Sequence, residues 1–423
     1  MKKFLVFSLA VGFFSLVISL LGGEFIVRHI DPQPTFRQSL KEGLSIFSPS
    51  NIVPFTVAQN QNSVHLGYTR EFNHKVATNS LGFRGVKEIE KQKPEGTYRI
   101  LVIGDSMTFG WGVEDNETFS SILERNLNAA VAEIGAKNKF EVINAGFSGG
   151  FTLDGFYSWL VNKGFELNPD LVLVSFFPYN DVSDLLEMEW KKIDDIGLPI
   201  VVGSLDTIVK HGRLARRYPT EWKYAIPVLR NSHLFILLGQ ALEKYSPAVT
   251  ELIKKPFGVV SGKPRAERKE VDECIYDLEC SGQMSDALGK SWRLFEGIKF
   301  RASQKGIKVG SLILTSPDQV GRLAGLEPSG EKNKRVSNSQ PQAEIKNQLI
   351  NVGIEVIDIL PELTDKKEEQ YFYSRDGHLN IRGHGRVAQA IFKSFMEGDF
   401  ISQEVKFTDI QIQELTARGI FKF

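Results

Sequence analysis

The sequence predicts an α/β fold in which a parallel β-sheet is covered by helices on both faces. Short apolar segments alternate along the chain with amphipathic segments of helical spacing, a pattern typical of parallel sheets. Residues 171–177 read LVLVSFF and are apolar except for one serine, as expected of a strand buried on both faces. These observations predict a doubly wound domain over residues 98–398.

Strands and helices alternate in the order that such a domain requires. Strands are predicted at residues 98–103, 140–145, 171–177, 309–314 and 356–359. Helices are predicted at residues 117–134, 152–165, 290–305, 342–352 and 383–396. The gap at residues 182–289 is much longer than a crossover needs. We interpret it as an insertion carrying helices that cover or flank the site.

The N-terminal 30 residues predict a membrane helix. The segment Phe4–Leu21 has no charged residue and reaches the roughly 17–20 residues that cross a bilayer. Lys2 and Lys3 precede it, which favours a cytoplasmic N-terminus and an extracytoplasmic main domain. An uncleaved signal anchor is the favoured interpretation, because the apolar core is longer than that of a cleaved signal peptide. Secretion after cleavage is the alternative.

The remaining segments are assigned by composition. Residues 31–97 are polar and turn-rich, which indicates a stalk and lead-in with short strands between Ser63 and Ala77. Within it, NSLGFRG at residues 79–85 is interpreted as an ordered loop packed on the core. The apolar run His233–Leu242 is too short to span a membrane and is either core or a docking face. Residues 327–340 form a polar loop, and residues 399–423 form a C-terminal tail.

Charge and cysteine content narrow the function. The chain has 51 basic and 51 acidic residues, so no summed charge attracts it to nucleic acid. Cys274 and Cys280 are its two cysteines. An extracytoplasmic compartment permits a disulfide between them, with two unpaired thiols as the alternative. Neither a metal site nor a cofactor is expected, because no further cysteine or histidine lies nearby. The oligomeric state is left open.

Polar residues follow the predicted strands at the edge where doubly wound sheets bind their ligands. The first strand ends at Gly-Asp-Ser with Ser106, the second at Gly146 and the third before Asn180. Asp376 and His378 follow the last strand. A phosphate-binding glycine loop is absent from the sequence, as is the G-x-S-x-G elbow around the serine. This set indicates acyl transfer through a serine nucleophile.

Each residue type suits one step of that chemistry. His378 can remove the proton from the Ser106 hydroxyl near neutral pH, and Asp376 can hold the imidazole in the required tautomer. The backbone N–H groups of Ser106 and Gly146 and the side-chain amide of Asn180 can stabilise an oxyanion. Gly110 and Gly112 are expected to leave room for an acyl group. His384, in the final helix, is assigned a structural role.

The four segments GDSMTFG, NAGFSGG, FPYND and DGHLN resemble those of the SGNH/GDSL hydrolases. The resemblance covers about residues 99–181 and 307–397. It implies a three-layer flavodoxin-like fold, with Ser106 as nucleophile, Gly146 and Asn180 as oxyanion donors and His378 as base. The family usually has its aspartate three residues before the histidine, where this chain has Arg375. Asp376 lies two residues before His378, a spacing that resembles the Asp-x-His of alginate-type acetyltransferases. The alternative is a Ser-His dyad in which a backbone carbonyl assists the histidine.

The resemblance and the compartment together predict a membrane-anchored serine esterase. The expected substrate is an O-acylated glycan of the cell envelope, and a lipid ester is the next choice. An O-acetyltransferase that passes the acyl group to a sugar hydroxyl is the rival within this chemistry. A non-catalytic glycan-binding scaffold is the rival of another class, which the complete set of Ser, Gly, Asn and His argues against.

Overall fold

A computed structural model of the chain provides the structure. It describes residues 2–33, 35, 44–66, 71–133, 135, 137–205, 207–210, 212–216, 226–246, 249, 252, 271, 274–275, 280, 282–324, 340–364, 370–398 and 400. Most of the predicted polar loop lies outside these residues, and only its last residue is described. The same holds for the C-terminal tail, of which only Phe400 is described. The chain divides into two compact units, of which one comprises Met1–Gly43 with Arg216–Gly262 and the other Leu44–Ala215 with Lys263–Phe423.

The first unit contains a long apolar helix, α1, at Lys2–Ile30. Its segment Val6–Ile30 has a mean hydropathy of 2.2, and it is long and apolar enough to cross a membrane. The apolar run His233–Leu242, which was predicted to be core or a docking face, is helical and packs beside α1. The carboxylate of Glu24 accepts hydrogen bonds at the start of that second helix, from the hydroxyl of Ser232 (2.8 Å) and the N–H of Leu234 (2.9 Å).

The second unit is built on a five-stranded sheet in which every neighbouring pair is parallel. The strands of this unit, numbered in chain order, are β1 Phe47–Ser48, β2 Thr56–Val57, β3 Asn62–Leu66, β4 Asn73–Ala77, β5 Thr97–Gly104, β6 Lys139–Gly146, β7 Leu171–Phe176, β8 Met188–Ile193, β9 Pro199–Ser204, β10 Thr207–Lys210, β11 Arg213–Arg216, β12 Lys308–Ile313 and β13 Glu355–Asp358. The large sheet has the order β6-β5-β7-β12-β13, which is the flavodoxin-like order 2-1-3-4-5.

Helices cover both faces of this sheet. The helices after α1, numbered in chain order, are α2 Ser106–Phe109, α3 Phe119–Glu133, α4 Leu153–Asn162, α5 Pro178–Asp184, α6 His233–Tyr245, α7 Gly282–Ser303, α8 Pro317–Ala324, α9 Gln340–Asn351, α10 Leu360–Thr364 and α11 Ile381–Glu397. Of these, α6 belongs to the first unit. One apolar core joins the sheet to α4, α7 and α9, and a second joins it to α3, α10 and α11. The three-layer α/β/α prediction is therefore confirmed.

The lead-in from Leu44 onward belongs to the same compact unit as the sheet. Its strands pair as two antiparallel hairpins, β1 with β2 and β3 with β4, which confirms the short strands expected between Ser63 and Ala77. A third apolar core joins lead-in side chains such as Phe55 and Val76 to Phe109 and Phe147 of the sheet edge. The NSLGFRG loop is ordered as predicted, with Phe83 and Arg84 buried.

The insertion contributes further local structure. Strands β8 and β9 form an antiparallel hairpin, and β10 and β11 form another small sheet. A disulfide joins Cys274 to Cys280, which confirms the expected local cross-link.

Candidate active site

The segment that carries Ser106, the expected nucleophile, is the sharp turn between β5 and α2. Asp105 caps α2, because its Oδ1 accepts the N–H of Met107 at 2.9 Å. A Cβ at position 104 would lie 2.1 Å from Oγ1 of Thr108, so only glycine allows the helix to start this close to the strand. Ser106 is the first residue of α2 and is partly exposed. No described residue accepts a hydrogen bond from its backbone N–H, which leaves this group at the positive end of the turn.

Ser106, His378 and Asp376 form one continuous hydrogen-bonded chain. Oγ of Ser106 lies 2.8 Å from Nε2 of His378, and Nδ1 of His378 lies 2.5 Å from Oδ1 of Asp376. Gly377 between the last two has a φ of +83°, which turns the backbone so that both side chains meet. The structure thus brings the Ser106 hydroxyl to an imidazole 272 residues later in the sequence, and that imidazole to a carboxylate two residues before it.

The predicted oxyanion donors differ in what they contact. The side-chain amide of Asn180 donates one hydrogen bond to Oδ2 of the buried Asp105, at 3.3 Å. The N–H of Gly146 is already bonded to Oδ1 of Asn144, at 3.0 Å, and is therefore not a free donor. A Cβ at Gly146 would lie 2.3 Å from the backbone N of Phe109. The expectation for Gly146 is corrected: what this glycine supplies is space for α2 to rest on the end of β6.

Gly149, in the turn that follows β6, was missed by sequence reasoning. Gly149 is buried, yet within the described part of the chain no acceptor receives its N–H. Buried N–H groups without a partner are rare in folded proteins. The turn is unusual in another respect, because Phe147 has a φ of +60°. The repeated glycines of NAGFSGG were the only signal, and they do not distinguish position 146 from position 149.

Gly110 and Gly112 serve the backbone of the site. Their φ angles are +87° and +97°, values that favour glycine. A Cβ at Gly112 would lie 2.6 Å from the ring of Tyr373, whose hydroxyl donates to the Gly112 carbonyl at 2.6 Å. The expectation that these glycines leave room for an acyl group is corrected, because protein atoms from Thr118 and Tyr373 already occupy the adjoining space.

Two buried carboxyls lie below the nucleophile. Burial raises the pKa of Asp105, against the opposing effects of the His378 charge and of its hydrogen bonds. Burial, and then the charge of Asp105, raise the pKa of Asp181 well above its usual range. Oδ2 of Asp181 accepts the N–H of Phe177 at 2.8 Å. These carboxyls act on the backbone at the ends of β5 and β7, which hold Ser106 and Asn180.

His384 is structural, as predicted. It is fully buried, its Nδ1 accepts the N–H of Phe119 at 3.2 Å, and its ring stacks on that of Phe119. Burial, followed by the charges of Arg84 and His378, lowers the pKa of His384 to about 3. A neutral, buried imidazole of this kind supports packing and takes no part in proton transfer at neutral pH.

Comparison with known proteins gives similarities at low identity. No family model and no curated protein sequence matches the chain. Among solved structures it is similar to an acetyl xylan esterase, at 12% identity and a TM-score of 0.34, over 70% of this chain and 98% of the other. It is also similar to a two-domain esterase active on acetylated mannans, at 12% identity and a TM-score of 0.33, over 70% and 48% of the two chains.

A third similar structure is the psychrotrophic esterase EstA from Pseudoalteromonas sp., at 10% identity and a TM-score of 0.31. It covers 71% of this chain and 97% of the other. Likeness at this level carries no argument for an activity of this chain. In this chain a hydroxyl, an imidazole and a carboxylate lie in the order that nucleophilic attack on an ester requires.

Proposed function

We propose that the chain is a serine esterase of the SGNH type. The observation that carries the proposal is the unbroken contact from Ser106 Oγ to His378 Nε2 and from His378 Nδ1 to Asp376 Oδ1. A serine hydroxyl is a weak nucleophile, and a base within hydrogen-bonding distance is what activates it. A serine with a purely structural role needs neither an imidazole nor a carboxylate behind it.

The reaction follows from these contacts. His378 takes the proton of Ser106 as Oγ attacks the ester carbonyl, and the imidazolium then gives that proton to the departing alcohol. The acyl group is left on Ser106. Water, deprotonated by His378, attacks this acyl-serine and releases the acid, which regenerates the serine hydroxyl. Asp376 keeps the proton of neutral His378 on Nδ1 and stabilises the imidazolium that forms in each half-reaction.

The oxyanion is assigned to three donors. They are the N–H of Ser106, the N–H of Gly149 and the second amide hydrogen of Asn180. Neither N–H group has an acceptor among the described residues, so each is available to a substrate oxygen. Asp105 orients the amide by accepting its other hydrogen. Donors fixed in this way before the reaction lower the barrier without reorganisation.

The proposed substrate is an O-acylated glycan of the cell envelope, with acetyl as the acyl group. The support is the compartment: α1 has the length and composition of a signal anchor, and Lys2 and Lys3 before it favour an outward-facing main domain. The disulfide between Cys274 and Cys280 agrees with an oxidising compartment. A lipid ester as substrate and acyl transfer to a sugar hydroxyl are the rival outcomes of the test.

The test compares the wild type with Ser106→Ala on p-nitrophenyl acetate, on a long-chain p-nitrophenyl ester and on O-acetylated glycans. We expect release of acetate from the glycan by the wild type only, and an acetylated Ser106 in mass spectra of quenched reactions. Equal hydrolysis by both proteins would end the esterase proposal. A preference for the long-chain ester would favour a lipid substrate. Transfer of acetyl to an added sugar in place of release would favour an acetyltransferase.

A further inference from the structure

We propose that Glu71, in the lead-in hairpin, is a positioning residue for the Asp376–His378 pair. This inference rests on the proposed esterase function and assigns a part of the same site to a segment that precedes the sheet. Glu71 follows β3 and precedes β4, more than 300 residues before the segment it contacts. It acts through the backbone that carries Asp376.

The Glu71 carboxylate receives hydrogen bonds from three successive residues. The hydroxyl of Ser374 donates to Oε1 at 2.9 Å, and the N–H of Arg375 lies 3.1 Å and 3.2 Å from the two carboxylate oxygens. The N–H of Asp376 itself donates to Oε2 at 2.9 Å. Hydrogen bonds to an ionised acceptor are roughly twice as strong as neutral ones. One side chain thus fixes the backbone immediately before the catalytic pair.

The loop that carries the pair needs such an external contact. Its internal bonds run from the N–H of Tyr373 to the carbonyl of His378 (2.9 Å) and from the N–H of Gly377 to the carbonyl of Tyr373 (3.0 Å). These bonds close the loop but do not involve the N–H groups of Arg375 and Asp376. Gly377, beside Asp376, has more backbone freedom than any other residue type. Glu71 holds the loop on the side that its own bonds leave open.

The hairpin that presents Glu71 is packed against the same loop. The ring of Phe72 lies 4.9 Å from that of Tyr373, centre to centre. Burial, and then the charges of Glu117, Asp376 and Glu71, raise the pKa of Tyr373 to about 12, so its hydroxyl stays protonated and donates to Gly112. The loop is therefore anchored both by Glu71 and by the carbonyl of Gly112, which follows α2.

A second contact joins the hairpin to the catalytic base. The ring of His65, on β3, lies 4.0 Å from that of Trp111, and Trp111 lies 5.7 Å from the ring of His378. His65 is paired with His74 across the hairpin, and both are buried. The hairpin thus touches the surroundings of His378 through Trp111 and the surroundings of Asp376 through Glu71.

The test measures kcat and KM of the full chain on p-nitrophenyl acetate. Glu71→Ala is expected to lower kcat by about 10- to 100-fold with little change in KM, because misplacement of a catalytic group by about 1 Å has costs of this size. Glu71→Gln keeps one acceptor oxygen, so its kcat should fall by less than that of Glu71→Ala. Glu88→Ala is the matched control, because the carboxylate of Glu88 also accepts the N–H and hydroxyl of one residue, Ser80, in a lead-in turn.

A double-mutant comparison separates positioning from a general loss of structure. In an Asp376→Asn background, Glu71→Ala should change kcat by less than about 2-fold, because its effect passes through Asp376. An unchanged kcat in Glu71→Ala, or an equal loss in both backgrounds, overturns the positioning role. If Glu71→Ala does not fold, Glu71→Gln in the same two backgrounds decides. Full activity in Ser106→Ala would instead overturn the esterase function itself, and the two failures are distinguishable.

Discussion

Oδ1 of Asp376 lies 2.5 Å from Nδ1 of His378, although only Gly377 separates the two residues in the chain. This contact supports Asp376 as the residue that orients the base, in preference to a dyad assisted by a backbone carbonyl. Asp376→Asn is expected to lower kcat by about 10³- to 10⁴-fold, because an amide favours the wrong imidazole tautomer. Steady-state kinetics on p-nitrophenyl acetate measure this fall in kcat. A rate close to wild type would support the dyad.

Asn180→Ala tests the oxyanion assignment. Removal of one preorganised donor typically costs about 2.7–4 kcal/mol in the barrier, so kcat should fall by about 10²- to 10³-fold. KM should change little, because the charge that the amide stabilises develops only after substrate has bound. Loss of binding with unchanged kcat would place Asn180 in substrate recognition instead.

Gly146→Ala tests the role of space beneath α2. The new Cβ would start 2.3 Å from the backbone N of Phe109, so the helix that begins with Ser106 must shift. Overpacking of this kind typically costs about 1–3 kcal/mol in the free energy of unfolding. The control is Gly289→Ala in α7, where a Cβ meets no atom within 4 Å and helix propensity favours alanine. Denaturant unfolding should show a lower free energy of unfolding for Gly146→Ala and no loss for Gly289→Ala.

The buried histidines predict loss of stability in acid. Burial lowers the pKa of His65 to about 2, with further contributions from the charges of His74, Arg84 and His378. The pKa of His384 is likewise lowered by burial, to about 3. In the unfolded chain both titrate near 6.5, so below that pH the unfolded state binds more protons and stability falls. Each group contributes up to about 1.4 kcal/mol per pH unit. Buried carboxyls with raised pKa values act in the opposite direction.

The measurement is the melting temperature of the wild type and of His65→Leu between about pH 7.5 and about pH 5. The wild type should lose stability steadily below about pH 6.5, and the variant should lose less over the same interval. His65→Leu suits the test because neither ring nitrogen of His65 has a hydrogen-bond partner among the described residues. Parallel curves for the two proteins would assign the acid sensitivity to other groups.

Local sequence patterns were sufficient to predict the sheet. The segment LVLVSFF predicted a strand at 171–177 and the structure has one at Leu171–Phe176, because an apolar run between turns has few other ways to be buried. The helix predicted at 290–305 begins earlier, at Gly282. Its first turns are mostly polar, and their burial through Met284 and Ala287 depends on tertiary packing that the local pattern does not reveal.

Candidate site residues could be selected from the sequence where chemistry restricts residue type, and could not be selected where the contact is long-range. Ser106, Asn180, Asp376 and His378 stand out because a nucleophile, a base and their partners must follow strand ends. Glu71 left no local signal, because its contacts connect it to residues about 305 positions away. The role expected for Gly146 as an oxyanion donor was wrong, because its N–H donates a hydrogen bond to Oδ1 of Asn144, two residues earlier.

The separation of 272 residues between Ser106 and His378 has a consequence for biosynthesis. At about 5–20 residues per second, the ribosome makes the nucleophile on the order of tens of seconds before it makes the base. A nascent or truncated chain that ends before residue 378 carries Ser106 with no group to activate it. In the proposed mechanism, hydrolysis can therefore start only after the segment that carries His378 has been made and has reached Ser106.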